Sequence, residues 1–206
     1  YFLKAAVMGN PEAQFWMGEF SYFGEMDSQM DIVRAVKWFE QAADGGVAGA
    51  KRYLAWCYDE GVGGVPQDPV RAVNLDREAA EQGDIISQFS LGLAYANGKG
   101  SLPKNPQQAI HWWTIAANGG SAAAAFNLGN LYEDGLEGVS IDERQAIQWY
   151  EKSADMGNSD AQLKISVAIA KGMGRMRPNP ERAVEFWRKL ANLGNPEAQV
   201  ELGKAY

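Results

Sequence analysis

The sequence predicts an all-α fold, a right-handed superhelical solenoid of antiparallel helix pairs with a 37-residue period. Three observations predict it. Gly9, Gly46, Gly83, Gly120, Gly157 and Gly194 recur at that spacing without a slip. In the same register stand Met17, Leu54, Leu91, Leu128, Ile165 and Leu202, each followed by a small residue: Gly18, Ala55, Gly92, Gly129, Ser166 and Gly203. A third column is alanine throughout: Ala35, Ala72, Ala109, Ala146 and Ala183. Three residues after it come Trp38, Leu75, Trp112, Trp149 and Phe186, and seven after it Ala42, Ala79, Ala116, Ser153 and Leu190. Such spacing marks one face of a helix. Helix pairs at a period in this range form a solenoid, because each pair can bury its apolar face only against its neighbours.

The chain reads as one solenoid domain, 1–206, with repeats at 10–46, 47–83, 84–120, 121–157 and 158–194 and partial repeats at 1–9 and 195–206. The first helix of each repeat ends at Gly24, Gly61, Gly98, Gly135 or Gly172, where glycine takes the left-handed conformation that stops a helix. The small residue after the leucine column lets the two helices of a repeat approach closely. The second helix begins at Asp31, Asp68, Asn105, Asp142 or Asn179, whose short side chains accept hydrogen bonds from the free amides of the first turn. Three of these are followed by proline (Pro69, Pro106, Pro180), whose missing N–H costs nothing at the first helical position. Trp38, Trp112 and Trp149 are expected to fill the space between repeats. Tyr1 and Phe2 fall in the Trp38-Phe39 columns and Tyr206 lies within a first helix, so the expectation is a stretch cut from a longer array, without the polar capping repeats of a free-standing solenoid.

These columns resemble the Sel-one-like repeat (SLR) family, relatives of the tetratricopeptide repeats. The match is clearest in Ala124-Ala125-Phe126-Asn127-Leu128-Gly129-Asn130-Leu131-Tyr132-Glu133-Asp134-Gly135, then Gly138-Val139-Ser140-Ile141-Asp142, then Ala146-Ile147-Gln148-Trp149-Tyr150-Glu151-Lys152-Ser153-Ala154. Five such matches run in phase over almost the whole chain. Tetratricopeptide repeats proper have a 34-residue period, so the longer unit favours the SLR assignment. Ser21 and Ile169 replace the tyrosine, and Leu75-Asp76 stands where other repeats have Trp-Tyr. The resemblance implies an adaptor or scaffold module.

Composition narrows the function classes. Apolar residues make up 46% of the chain, enough for a folded core, and both signs of charge are spread along it. A net charge of −7 supplies no concentrated basic surface, which argues against nucleic acid and anionic membrane as partners. No apolar run approaches a membrane-spanning length, and Tyr1–Ala6 shows no signal-peptide pattern. The single cysteine, Cys57, forms no internal disulfide and assigns no compartment.

Catalysis needs reactive groups that converge, and here the register keeps them apart. His111 aligns with Lys37, Asn74, Gln148 and Glu185, a solvated column. Cys57 aligns with Phe20, Ala94, Leu131 and Ala168, a core column. One histidine and one cysteine in different repeats supply no metal set, and no cofactor is implied. The acidic pairs Asp59-Glu60 and Glu133-Asp134 diverge by about 100° around a helix of 3.6 residues per turn. The loops Gly61-Val62-Gly63-Gly64-Val65 and Gly98-Lys99-Gly100 recur as turns and lack the residues that complete a phosphate cradle. The chain is therefore read as a non-enzyme.

In a solenoid of this family the first helices line the concave side. Phe15, Arg52, Phe89 and Phe126 stand two residues before the leucine column, Trp56, Leu93 and Asn130 two after it, and Tyr22, Asp59 and Glu133 five after it. Together these ten residues are the candidate partner-binding set: an aromatic and aliphatic strip with an acidic rim, suited to a protein or peptide with a basic segment. The alternative is that the strip packs against adjacent first helices; Arg52, Asn130 and Lys204 interrupt it, which favours exposure. The leading expectation is a protein-interaction scaffold. Its rivals are a non-catalytic regulatory domain of a larger enzyme or receptor, a carbohydrate-active hydrolase with paired acids, and a self-assembling homo-oligomer.

Overall fold

The computed structural model describes residues 1–24, 30–136, 138–175 and 177–205. The chain folds as an all-α solenoid, and its contacts divide it into two compact bodies, Tyr1–Ala109 and Ile110–Tyr206. The N-terminal body contains α1 (Phe2–Val7), α2 (Pro11–Phe23), α3 (Ile32–Asp44), α4 (Ala48–Glu60), α5 (Pro69–Glu81) and α6 (Ile85–Asn97); α7 (Pro106–Asn118) spans the division. The C-terminal body continues with α8 (Ala122–Asp134), α9 (Glu143–Asp155), α10 (Ser159–Lys171), a single 3₁₀ turn at Met173–Arg175, α11 (Pro180–Asn192) and α12 (Pro196–Lys204). Within a repeat α2 packs on α3, α4 on α5, α8 on α9 and α10 on α11. Between repeats α3 packs on α4, α5 on α6, α9 on α10 and α11 on α12.

The predicted caps form. Asp31, Asp68, Asn105, Asp142 and Asn179 each accept a hydrogen bond from the backbone N–H three residues on, at 2.9 to 3.1 Å. Each cap is worth roughly 1 kcal/mol. The same five residues donate their own N–H to the carbonyls of Ser21, Tyr58, Tyr95, Tyr132 and Ile169 at 2.7 to 2.8 Å, which ties the end of each first helix to the start of the next. Gly24, Gly61, Gly98 and Gly172 close their helices at φ between 68° and 71°, the left-handed region the sequence called for.

One packing expectation is extended. Of the column expected to fill the space between repeats, Trp38, Trp112 and Trp149, each is half-buried, Trp38 against Ala6 of the preceding second helix and Ala13 and Met17, and the more deeply buried place belongs to the next residue: Phe39, Trp113, Tyr150 and Trp187. The reason lies in the small-residue column of the first helix. A Cβ placed on Gly18 would stand 2.4 Å from the Phe39 ring, and one on Gly129 would stand 2.4 Å from the Tyr150 ring. Each ring packs against the glycine of its own repeat, and shares a core cluster with the alanine of the following first helix, Ala50 for Phe39 and Ala161 for Tyr150; Phe39 also stacks on Tyr53 at 4.6 Å.

A further periodic contact latches repeats together. The side-chain amides of Gln14, Gln88, Gln162 and Gln199 donate to the carbonyls of Ala6, Ala80, Ala154 and Ala191 at 3.2 to 3.4 Å, satisfying acceptors in the last turn of the preceding second helix.

Candidate functional site

In the N-terminal body α4, α5 and α6 border an open cavity of about 470 Å³. Five of the ten candidate residues line it: Tyr22, Arg52, Trp56, Asp59 and Leu93. They arrive together because positions four or seven apart on α4 share one helix face. Trp56 is 38% exposed, and its indole meets the Tyr22 ring edge-on at 5.6 Å. Tyr22 in turn packs on Tyr53 at 5.3 Å. The Arg52 guanidinium lies 4.4 Å over the Tyr53 ring and 3.3 Å from Asp84 Oδ2. Lys99 Nζ reaches Asp59 Oδ2 at 2.6 Å.

Asp76, on α5, also faces this cavity. It occupies the register of Phe39, Trp113, Tyr150 and Trp187, a carboxylate where the other repeats bury a ring. Its first-helix neighbour in register is Ala55, where Gly18 and Gly129 make room for rings. Ser87, on α6, falls in a column otherwise made of Ala13, Ala50, Ala124, Ala161 and Ala198. Two polar departures from apolar columns therefore meet at one spot. The Ser87 hydroxyl is fully buried and has no hydrogen bond of good geometry, yet it lies within electrostatic reach of the Asp76 carboxyl. Burial pushes Asp76 up to about 7; Asp84 and Asp59 add to the rise, while Ser87 and Lys99 oppose it. Among the described residues no cation forms an ion pair with it, the nearby Arg52 and Lys99 being engaged by Asp84 and Asp59.

The C-terminal body has a cavity of about 490 Å³ over α8, α9, α10 and α12. Phe126 and Glu133 line it, with Leu163, Val167 and Ile147 among its apolar walls and Glu143, Asp160, Glu197 and Glu201 among its acids. The Tyr150 hydroxyl lies 2.7 Å from both Asn130 Oδ1 and Glu133 Oε2, so Asn130 joins this site through the tyrosine. Lys164 Nζ donates to Glu133 and stands 5.6 Å from the Tyr150 ring centre. Burial alone would raise Glu133, but the hydrogen bonds from Lys164 and Tyr150 outweigh it and hold the carboxyl below its usual range. Tyr150 is driven well above the ordinary phenol range, first by burial and then by Glu133.

The remaining candidates stand elsewhere. Phe15 packs inward, 6.1 Å from the Phe39 and Tyr53 rings and against the start of α4 at Gly49. Phe89 is half-buried on α6 and does not line the cavity beside it. Cys57 is fully buried, and burial pushes its thiol up to about 11, as expected of an inert core residue. His111 is exposed against Trp112. Among the described residues no group of three His, Cys, Asp or Glu is arranged to hold a metal ion, and no helix is long and apolar enough to cross a membrane. Asp76 and Ser87 were not among the sequence candidates; their signal was present as polar residues in two apolar columns.

The repeat geometry has close counterparts. The Sel1 repeat family model matches residues 11–47, 48–84, 85–121, 122–158 and 159–195, one residue later than the repeats read from the glycine column. The crystal structure of c5321, a protective antigen present in uropathogenic Escherichia coli strains and displaying an SLR fold, matches 98% of this chain with 33% identity and a TM-score of 0.91. This chain spans only 42% of that one. A Sel1 repeat protein from Oxalobacter formigenes is 33% identical over 97% of this chain and 79% of its own, with a TM-score of 0.86. An immunity protein from Pseudomonas aeruginosa, 20% identical over 93% of this chain and 72% of its own, shares the fold at a TM-score of 0.56. No curated protein sequence matches. With five family repeats in register and two solved relatives a third identical, the chain belongs to the Sel1 repeat family.

Proposed function

We propose that this chain is a protein-interaction scaffold that holds a partner segment along the face formed by its first helices. Sel1 repeat proteins typically serve as interaction scaffolds and are generally non-catalytic. The observation that carries the reading is that each body opens a cavity of just under 500 Å³ walled mostly by first-helix side chains. Each combines apolar or aromatic walls with carboxylates, the composition of a groove for an amphipathic segment with basic residues. The Trp56 indole, partly exposed and braced by Tyr22, is the anchor of the N-terminal groove. Leu163 and Val167 floor the C-terminal one.

The test is affinity capture from the native host with wild type, Trp56→Ala and Val167→Lys, each shown by circular dichroism to keep its helix content. A protein retained by wild type and lost from either variant supports the reading. Retention that both variants leave unchanged, or no retained protein at all, overturns it.

A further inference from the structure

The cavity beside Asp76 can be read against its own counterpart two repeats later. In the C-terminal body the ring of Tyr150 fills the register of Asp76, and Lys164, in the register of Ser90, lays its ammonium against Glu133 and over that ring. The protein there supplies its own lysine to its own carboxylate. In the N-terminal body the ring is gone, Ser90 is too short to reach in, and the space they leave is part of the open cavity. Arg52 and Lys99 are ion-paired to Asp84 and Asp59 and not to Asp76, on which Lys99 acts only at a distance.

We propose that this cavity receives one lysine or arginine side chain from a protein partner, with Asp76 as its counter-charge and Trp56 as the wall along its stem. This inference rests on the scaffold reading and names the chemistry of one contact within it. A carboxylate in a ring position costs folding energy, since burial disfavours its charge and forfeits the apolar packing of the column. An incoming cation recovers the first loss by ion pairing, and its alkyl stem recovers part of the second against Leu93 and Val73. The partly exposed Trp56 indole beside a carboxylate favours a cation over a neutral side chain of equal length.

The probes are N-acetyl-lysine methylamide and N-acetyl-arginine methylamide, with N-acetyl-norleucine methylamide as the neutral control. Amide and indole NMR spectra of the whole chain follow binding. The expected result is a saturable shift of the Trp56 indole N–H and of the Ser90 and Leu93 amides with at least one cationic probe. That affinity should exceed that of norleucine by about tenfold and fall by about tenfold in Asp76→Asn, a change of about 1.4 kcal/mol. A second variant, Asp76→Tyr with Ala55→Gly, restores the ring and glycine of the other repeats and should fold while abolishing the shift. Equal binding of norleucine, unchanged binding by Asp76→Asn, or no saturable shift with either cation would overturn the proposal. Because the probes are single residues, that failure is distinct from failure of the scaffold reading, which the Trp56→Ala and Val167→Lys capture experiment decides.

Discussion

The two bodies carry the same site in the same register, finished in different ways. Arg52 corresponds to Phe126, Asp59 to Glu133, Asp76 to Tyr150, Ser90 to Lys164 and Leu93 to Val167. In the C-terminal body the ring is buried, its hydroxyl meets Asn130 and Glu133, and Lys164 closes the network. In the N-terminal body the ring is replaced by a carboxylate, and the cations nearby are committed to other acids. A repeat protein can diverge in this way because its stability is roughly a sum over repeats and their nearest interfaces. One repeat can give up a packing position for a polar group while the others keep theirs.

The sharpest break of this comparison is at the ring itself. Tyr150→Ala should cost about 3–5 kcal/mol in urea denaturation, the range for removing a buried aromatic, whereas Asp76→Ala should be neutral or stabilising. The glycine beneath the ring gives the control. Gly129→Ala should cost about 1–3 kcal/mol through overpacking against Tyr150. In a Tyr150→Ala background the same change should be neutral or favourable, since alanine is the better helix former. Equal cost in both backgrounds would show that the ring does not dictate the glycine.

The fold was legible in the sequence because the determinants of a repeat protein are local and recur. The caps at Asp31 and its equivalents and the closing glycines are short-range features. Choosing between Trp38 and Phe39 was harder, since both are aromatic and adjacent residues point about 100° apart. Only the Gly18 contact tells which one turns inward. The candidate strip was legible by register, but register does not say whether a side chain such as Phe15 faces a groove or the next helix. Asp76 and Ser87 escaped for a related reason. They lie on α5 and α6, in different repeats, and their meeting is a tertiary fact.

Titration should separate the two sites more gently, with opposite signs. Asp76 has a folded pKa of about 7 against 3.8 for the free side chain, so the folded protein holds its proton over a range where the unfolded chain has lost it. Its contribution to stability therefore falls as pH rises from about 4 to about 7, and levels off above that at the full penalty. Glu133 is shifted down, so its contribution is complete above its free value of 4.5 and is lost as pH falls through the lower folded value. Urea midpoints followed against pH should show the first slope vanish in Asp76→Asn and the acid-side slope diminish in Glu133→Gln. A wild-type slope across pH 4 to 7 that Asp76→Asn retains would assign it to another group.

The smallest expected effect is also the most specific to the local charges. Lys99 and Asp59 are both partly exposed, so Lys99→Met should change stability by less than about 1 kcal/mol. The titrations it leaves behind should still move. Lys99 helps hold Asp76 down, so its removal should raise the Asp76 midpoint above that of wild type, read by carboxyl carbon NMR. Lys164→Met should raise Glu133, because one of the hydrogen bonds that together outweigh burial has gone. The second shift should be the larger: Lys164 touches its carboxylate directly, whereas Lys99 acts on Asp76 while bound to Asp59. If Lys99→Met moved Asp76 as far as Lys164→Met moves Glu133, Lys99 would be the internal partner of Asp76, and the N-terminal site would be closed on itself like its counterpart.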